Sequence, residues 1–355
     1  MNCLIGNRHT AAGSRPAILV TGGAGYIGSH ACRALASAGF APVVYDNFSS
    51  GHRDFVAGPL VSGDLADRST LARAFAQHDI VAVMHFAASS VVGESVADPQ
   101  KYYLNNVAGT LCLLDVMREA GCHHLVFSSS GAVYGNADSK ALPESHPCAP
   151  INPYGASKWM IERMLADYRG AYGLGSFCLR YFNASGADAS GGIGERRDTE
   201  THLIPRAMMA LQGHVTDFAV FGDDYGTPDG TAIRDYIHVT DLAAAHVLAL
   251  KLLMQGHRGG AFNLGTGTGF SVREILAAIA AETGRAVPHV VKPRRSGDPT
   301  YLVADPTAAR RTLAFSPAHS DLTTIIRTAW AWHQKAHPRQ ADEALLDEKT
   351  LSPAA

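Results

Sequence analysis

The side chains best placed to move a proton in this 355-residue chain are Tyr154 and Lys158, in the stretch Pro153-Tyr154-Gly155-Ala156-Ser157-Lys158. A phenol is a poor base near neutrality, because its ordinary pKa is about 10. On a helix, residues four apart share a face, and the intervening Ala156 points elsewhere. An ammonium one turn away favours the phenolate and lowers its pKa, which turns the tyrosine into a usable proton acceptor. Tyr–Lys pairs at this spacing are common on helices, so the pair takes its meaning from what else the chain carries.

Far upstream, Gly22, Gly25 and Gly28 follow a short apolar run (residues 16–21) and open a helical one. Glycines here permit a tight turn and a close approach of backbone to a pyrophosphate, which a helix N-terminus attracts. Asp46 closes the next apolar run about 20 residues on, where a carboxylate accepts from a ribose diol. The same carboxylate repels a 2′-phosphate, so the pattern points to NAD rather than NADP. Asp64, after a third apolar run, reads equally as an acceptor for the adenine amino group or as a loop cap.

These residues need a scaffold, and the pattern supplies one. Strands are expected at residues 42–46, 60–64, 80–85 and 124–128, with helices at 69–77, 105–120 and 158–172 between them. Short buried strands alternating with amphipathic helices predict an α/β fold, a doubly wound parallel-sheet Rossmann-type domain with a smaller mixed α/β substrate domain. Residues 17–185 are assigned to the first, with 233–265 returning to it, and 186–338 mainly to the second. Residues 186–201 read as a loop, and 202–211, 241–254 and 272–283 as helices, the last with Ser271 as N-cap. Residues 339–355 form a polar tail.

Residues 1–16 lack the apolar core of a secretory signal; they also lack acids, which leaves a disordered extension or an organellar presequence. With 30 basic and 32 acidic residues the net charge is −2, which speaks against nucleic-acid and membrane-surface partners. The six cysteines show no paired spacing, so a reduced, cytoplasmic chain without a structural metal is expected. Cys122-His123-His124 reads as loop polarity before a strand rather than as a metal site.

Taken together, residues 21–29 (TGGAGYIGS), 46–47, 85–88 (HFAA), 92–96 (VGESV), 128–135 (SSSGAVYG), 153–158 and 180–183 (RYFN) resemble the extended short-chain dehydrogenase/reductases. Within them, residues 234–239 (RDYIHV), 263–265 (NLG) and 293–298 (PRRSGD) look like the UDP-glucose 4-epimerases. The likeness covers roughly residues 17–336. It implies that Tyr154 takes the proton of a sugar 4-hydroxyl, that Lys158 holds the nicotinamide ribose and the phenol's pKa down, and that Ser130 hydrogen-bonds the 4-oxygen. Ser128 and Ser129 are equally able hydroxyls, and family position favours Ser130. Further cofactor contacts implied are Tyr26, Ile27, Asn47, Leu65, Phe86, Ala87, Ala88, Asn105, Ser128 and Tyr181. On the substrate side the likeness implies Asn183 as a phosphate contact, Arg234 and Arg295 as pyrophosphate ligands, Leu203, Phe221 and Tyr236 beside the uridine, and Asp298 at a ribose hydroxyl. The implied partners are a UDP-sugar and a second copy of the chain, the latter through residues 105–120 and 158–172.

The chain departs from that pattern in places. Ser90 stands where a lysine often reaches the nicotinamide ribose, and His202 where an asparagine often binds phosphate; imidazole can donate there or simply pack. Leu302 holds the position that limits bulk at the sugar 2-position. Leucine is intermediate, which favours UDP-glucose and UDP-galactose and leaves UDP-N-acetylhexosamines and UDP-pentoses as alternatives. A dehydratase needs an acid–base pair after the strand's serine, where this chain has Gly131 and Ala132. A non-catalytic NAD sensor would not need Tyr154, Lys158 and Ser130 together.

Overall fold

The computed structural model describes residues 15–295 and 297–337, so the expectations for the N-terminal extension and the polar tail fall almost wholly outside the described residues. In chain order the strands are β1 (Ala17–Thr21), β2 (Ala41–Asp46), β3 (Leu60–Ser62), β4 (Ile80–His85), β5 (His124–Ser130), β6 (Ser139–Leu142) and β7 (Gly175–Tyr181). They continue as β8 (Asn183–Ser185), β9 (Ala219–Phe221), β10 (Ile233–His238), β11 (Gly259–Leu264), β12 (Gly269–Ser271), β13 (Val290–Lys292) and β14 (Tyr301–Ala304). The helices are α1 (Tyr26–Ser37), α2 (Arg68–His78), α3 (Val92–Ala97), α4 (Pro99–Tyr102), α5 (Gly109–Glu119) and α6 (Pro153–Tyr172). After them come α7 (Leu203–Gln212), α8 (Val239–Met254), α9 (Val272–Thr283), α10 (Thr307–Leu313) and α11 (Leu322–Ala336).

Seven strands form one parallel sheet in the order β11-β7-β5-β4-β1-β2-β3. The order reverses between β1 and β4, which opens a crevice at the strands' carboxyl ends, where such sheets bind ligands. Period-two alternation explains why the strands are apolar throughout. Ile18, Val20, Val44 and Val126 face one core with α1 and α8, while Leu19, Val43, Leu125 and Phe127 face another with α2, α5 and α6. The α/β expectation therefore holds.

A second sheet, β12-β10-β14-β6 with β8 joined to β10, carries a third core, in which Ile204 and Met208 of α7 meet Ile275 and Ile279 of α9 and Ile325 of α11. The chain passes between the two sheets after β5, β6, β7, β10 and β11.

Element boundaries follow local chemistry. The helix expected over 158–172 begins at Pro153, because the Asn152 carboxamide accepts from Gly155 N at 2.8 Å and proline suits the first helical position. Residues 105–120 are not one regular helix: Tyr103–Ala108 is a wide π-helical turn leading into α5. Within that turn Asn106 is buried and ties down Ser89 N (2.8 Å), Ser89 O (3.0 Å) and Ser157 Oγ (3.0 Å). Ser271 caps α9 in a full capping box with Glu274. Helix α11 was not anticipated, although its buried Ile325, Ala329, Trp332 and His333 follow the 3.6-residue period behind an Asp321 cap.

Candidate active site at the carboxyl edge of the sheet

A cavity of about 600 Å³ lies between the parallel sheet's carboxyl edge and the second sheet. All eleven residues expected on the substrate side line it: Ser130, Tyr154, Asn183, His202, Leu203, Phe221, Arg234, Tyr236, Arg295, Asp298 and Leu302. Of the expected cofactor residues, Tyr26, Ile27, Tyr154 and Tyr181 line it; the others lie at or just after the ends of β1 to β5, on α1 and α6, and in the Tyr103–Ala108 turn.

The three serines at the end of β5 separate by alternation. Ser128 Oγ pairs with the Tyr181 hydroxyl at 2.6 Å, and Ser129 Oγ donates to Glu162 Oε1 at 2.5 Å. Only Ser130 of the three lines the cavity, its Oγ accepting from Ala132 N at 3.1 Å. Beside it, the half-buried Tyr154 phenol is pushed above its ordinary value by desolvation, opposed by its hydrogen bond to Ser130 and by the charge of Arg197. The Lys158 ammonium Nζ donates to Ser128 O at 2.8 Å and stands 5.9 Å from the centre of the Tyr154 ring. Burial pulls Lys158 to about 7, with Glu162 working against that shift.

Behind this wall a buried ion pair fixes the helix to the sheet. Arg180 Nη2 meets Glu162 Oε2 at 2.5 Å, Arg180 Nη1 donates to the Tyr134 hydroxyl at 2.8 Å, and that hydroxyl donates to Asn263 Oδ1 at 2.7 Å. The RYFN and NLG stretches thus meet in one network joining β7, α6 and β11.

The glycine turn fits a dinucleotide phosphate. Gly22 has φ +70°, and a Cβ there would stand 2.6 Å from Ala87 N; at Gly28 it would stand 2.1 Å from Gly22 O. Asp46 accepts from Ala24 N (3.0 Å) and Phe48 N (2.8 Å), locking the turn to the end of β2. Asp64 accepts from Ala66 N (2.9 Å) and Asn47 Nδ2 (2.8 Å), so its cap role is realised. Leu65 is buried, and Asn105 donates to Asn106 Oδ1 at 2.9 Å.

Helix starts tell the same story. Helices α2, α4, α6, α8, α9 and α11 have side-chain caps, whereas α1, α3, α5, α7 and α10 begin with none. Of the uncapped helices, the longer α1 and α7 set first-turn residues, Tyr26-Ile27 and Leu203-Ile204, into the cavity wall, as the short α3 does with Val92. Free N–H groups at two helix ends on one cavity are donors for two sets of phosphate oxygens.

At the far end, Arg234 Nη2 is paired with Asp298 and its Nη1 donates to Ile233 O at 2.8 Å. Arg295 lies 3.9 Å over the Phe221 ring, and one N–H of Asn183 is committed to Asp235 O at 2.9 Å. Arg234 and Leu302 are register partners on β10 and β14, which places the two side by side on the second sheet. Asp298 is thus engaged by Arg234 rather than left as an open acceptor.

Glu195 and Arg197 line the same cavity and were missed. They fall in the irregular stretch between β8 and α7, where no period indicates which charge turns inward. Glu195 Oε1 accepts from Arg197 Nε (3.1 Å) and contacts His202 Nδ1 (2.6 Å). Glu195 raises the His202 pKa. Arg197 Nη1 stands 3.5 Å from Ser90 Oγ, so a cation does stand at Ser90 but comes from another segment. Glu195, Glu200 and His202 are close enough to share an ion, yet Arg197 and His202 already compensate the Glu195 charge.

Residues 18–265 match the model of the NAD dependent epimerase/dehydratase family. The chain belongs to this family. It is 52% identical over 321 residues to the UDP-glucose 4-epimerase of Rhizobium leguminosarum bv. trifolii, covering 90% of this chain and 98% of that one. Its fold matches the UDP-glucose 4-epimerase of Brucella ovis in complex with NAD, with a TM-score of 0.87, 55% identity and coverage of 89% and 97%. It also matches the Stenotrophomonas maltophila enzyme with bound NAD and formylated UDP-arabinopyranose, with a TM-score of 0.88, 42% identity and coverage of 91% and 99%. No helix among the described residues is long and apolar enough to cross a membrane.

Proposed function

We propose that this family member is an NAD-dependent 4-epimerase that interconverts UDP-glucose and UDP-galactose. The observation that carries the reading is one cavity with Ser130 and Tyr154 on one wall, the uncapped starts of α1 and α7 opening into it, and Arg234, Arg295, Phe221 and Tyr236 at its far end. Gly22, Gly25, Gly28 and Asp46 would hold the dinucleotide, with Lys158 at its nicotinamide ribose. When bound, NAD supplies a reversible hydride acceptor for C4 of the sugar.

Every other step belongs to the chain. Tyr154 Oη takes the proton of the 4-hydroxyl and later returns it. Ser130 Oγ hydrogen-bonds the 4-oxygen as it becomes a ketone and then an alcohol again. The guanidinium groups of Arg234 and Arg295 anchor the diphosphate, so the 4-keto sugar can turn over without leaving. Dehydration is disfavoured on steric as well as chemical grounds, since a Cβ on Gly131 would stand 2.8 Å from the Phe182 ring.

The surface supports a homodimer. Leu113 and Leu114 belong to the core, but Leu104, Leu111, Met160 and Tyr172 are exposed on the π-helical turn, α5 and α6. The function is tested by offering UDP-galactose, UDP-N-acetylgalactosamine and UDP-xylose to the purified protein without added cofactor and following products by NMR. Conversion of UDP-galactose to UDP-glucose is expected. No epimerisation of any of the three, even with NAD supplied, would sink the proposal.

A further inference from the structure

We propose that the turn after β2 is a latch on the dinucleotide: Phe55, plugged into a socket made by the later half of the chain, closes the crevice and sets the rate at which NAD leaves. The inference rests on the dinucleotide site of the epimerase reading and says how that site keeps its cofactor.

After Asp46 the chain doubles back over the phosphate turn. His52 N donates to Ala24 O at 2.9 Å, and a Cβ on Gly51 would stand 2.9 Å from Asp46 Oδ1 and 3.0 Å from the Ala24 methyl. The segment is thus laid on the two features assigned to a ribose and a phosphate. It then forms one 3-10 turn, Arg53–Phe55, whose buried Phe55 lies outside the three large cores. The packing partners of Phe55 are Ala187 and Ile193 before α7 and Trp332 and Ala336 of α11, all from beyond β8. One side chain from the β2–β3 connection fills a socket made by the later half of the chain.

The rim of the socket is polar. His52 Nε2 donates to Arg196 O at 2.9 Å, Arg196 Nη2 meets Asp54 Oδ1 at 2.6 Å, and the same guanidinium stands 4.8 Å from the centre of the Phe55 ring. Asp54 is largely exposed, so that ion pair is a minor part of the hold. The rings of Phe55 and Trp332 meet edge to face with 5.6 Å between centres, and Trp332 Nε1 donates to Glu195 O at 2.7 Å. Glu195, Arg197 and Trp332 line the cavity. The strap therefore runs from the phosphate turn to the cavity wall. A second tie, Tyr26 Oη donating to Gly186 O at 2.6 Å, runs beside it from α1. A socket filled by one side chain opens as a unit, so Phe55 can withdraw while the three large cores stay closed. Hydride taken from C4 is given back to C4 in each cycle, so nothing in the reaction requires the latch to open.

The test follows NAD leaving the holoprotein. Protein freed of unbound nucleotide is diluted, and released NAD is trapped by alcohol dehydrogenase with ethanol and read as NADH fluorescence. Phe55→Ala should speed release roughly 10- to 100-fold, the scale of exposing one aromatic side chain, and Phe55→Leu should restore most of the retention. Activity of the diluted Phe55→Ala protein should decay as NAD is released and return when NAD is added. Arg196→Gln, at the exposed rim, should speed release only about two- to fivefold. Ile279→Ala, a loss of similar kind in the third core, should leave release unmoved. If it speeds release as much as Phe55→Ala, the effect is general loosening and the proposal falls. It falls too if release is unmoved in Phe55→Ala or, should that variant fail to fold, in His52→Ala combined with Arg196→Gln. Failure of the epimerase reading would look different: NAD held and released in this Phe55-dependent way, with no UDP-sugar turned over.

Discussion

Behind one part of the cavity wall, where Tyr26 and Ile27 line it, the chain presents backbone: the Gly22–Gly28 turn, the bare first turn of α1 and the Ala87 amide beneath it. At the other end it presents long side chains from separate segments, Phe221 on β9, Arg234 and Tyr236 on β10 and Arg295 after β13. The first end is specified by what is missing, so a single added methyl at Gly22 or Gly28 is ruinous. The second is specified by what is present at many positions, so each change removes one contact and leaves the rest.

The contrast can be broken most forcefully at Gly28. A Cβ there meets a carbonyl 2.1 Å away, so Gly28→Val should abolish bound NAD, measured by releasing and quantifying the dinucleotide, and activity should be undetectable. Retention of near-stoichiometric NAD would show that the turn is not the phosphate site. Next in size, Tyr154→Phe should lower kcat about 10³-fold while leaving bound NAD in place. Smaller again, Arg234→Ala should raise KM for UDP-galactose about 10- to 100-fold, the scale of one or two lost charge-assisted hydrogen bonds, with NAD content unchanged. An equal fall in NAD content would mean that the two ends are not independent.

The smallest effect concerns Lys158. Burial lowers its folded pKa to about 7, against an unfolded value near 10.4. Between those values the unfolded chain holds more protons, so the cofactor-free protein should gain stability as pH rises through that window. Below about 7 both states carry the proton and the buried charge costs its full amount. Urea denaturation from about pH 7 to about pH 9 should show a rise that Lys158→Met flattens.

How far each part could be read from sequence follows the same division. The glycine turn and Asp46 are close in sequence and sit between regular elements, so period and spacing identify them. The residues expected on the substrate side came from stretches resembling a family, because nothing local distinguishes Arg234 or Arg295 from surface arginines. Arg197 was not found at all. It lies in an irregular segment where burial is decided by Glu195, Trp332 and His202, whose approach depends on tertiary packing; Trp332 Nε1 donates to Glu195 O at 2.7 Å from 137 residues away. Helical spacing put the Lys158 ammonium near the phenol, but only the packed sheet shows that it is buried and turned to a carbonyl.

The route of the chain between its two sheets has a consequence for how the molecule can be cut and recombined. Because β6 and β11 each belong to a different sheet from the strands flanking them in sequence, no single linker separates a dinucleotide module from a sugar module. A gene fragment ending near residue 185 would lack β11, the edge strand of the large sheet, and leave β6 without its partner β14. Shuffling experiments that exchange sugar preference between relatives should therefore graft loops and single side chains. Exchanging contiguous halves would break both sheets at once.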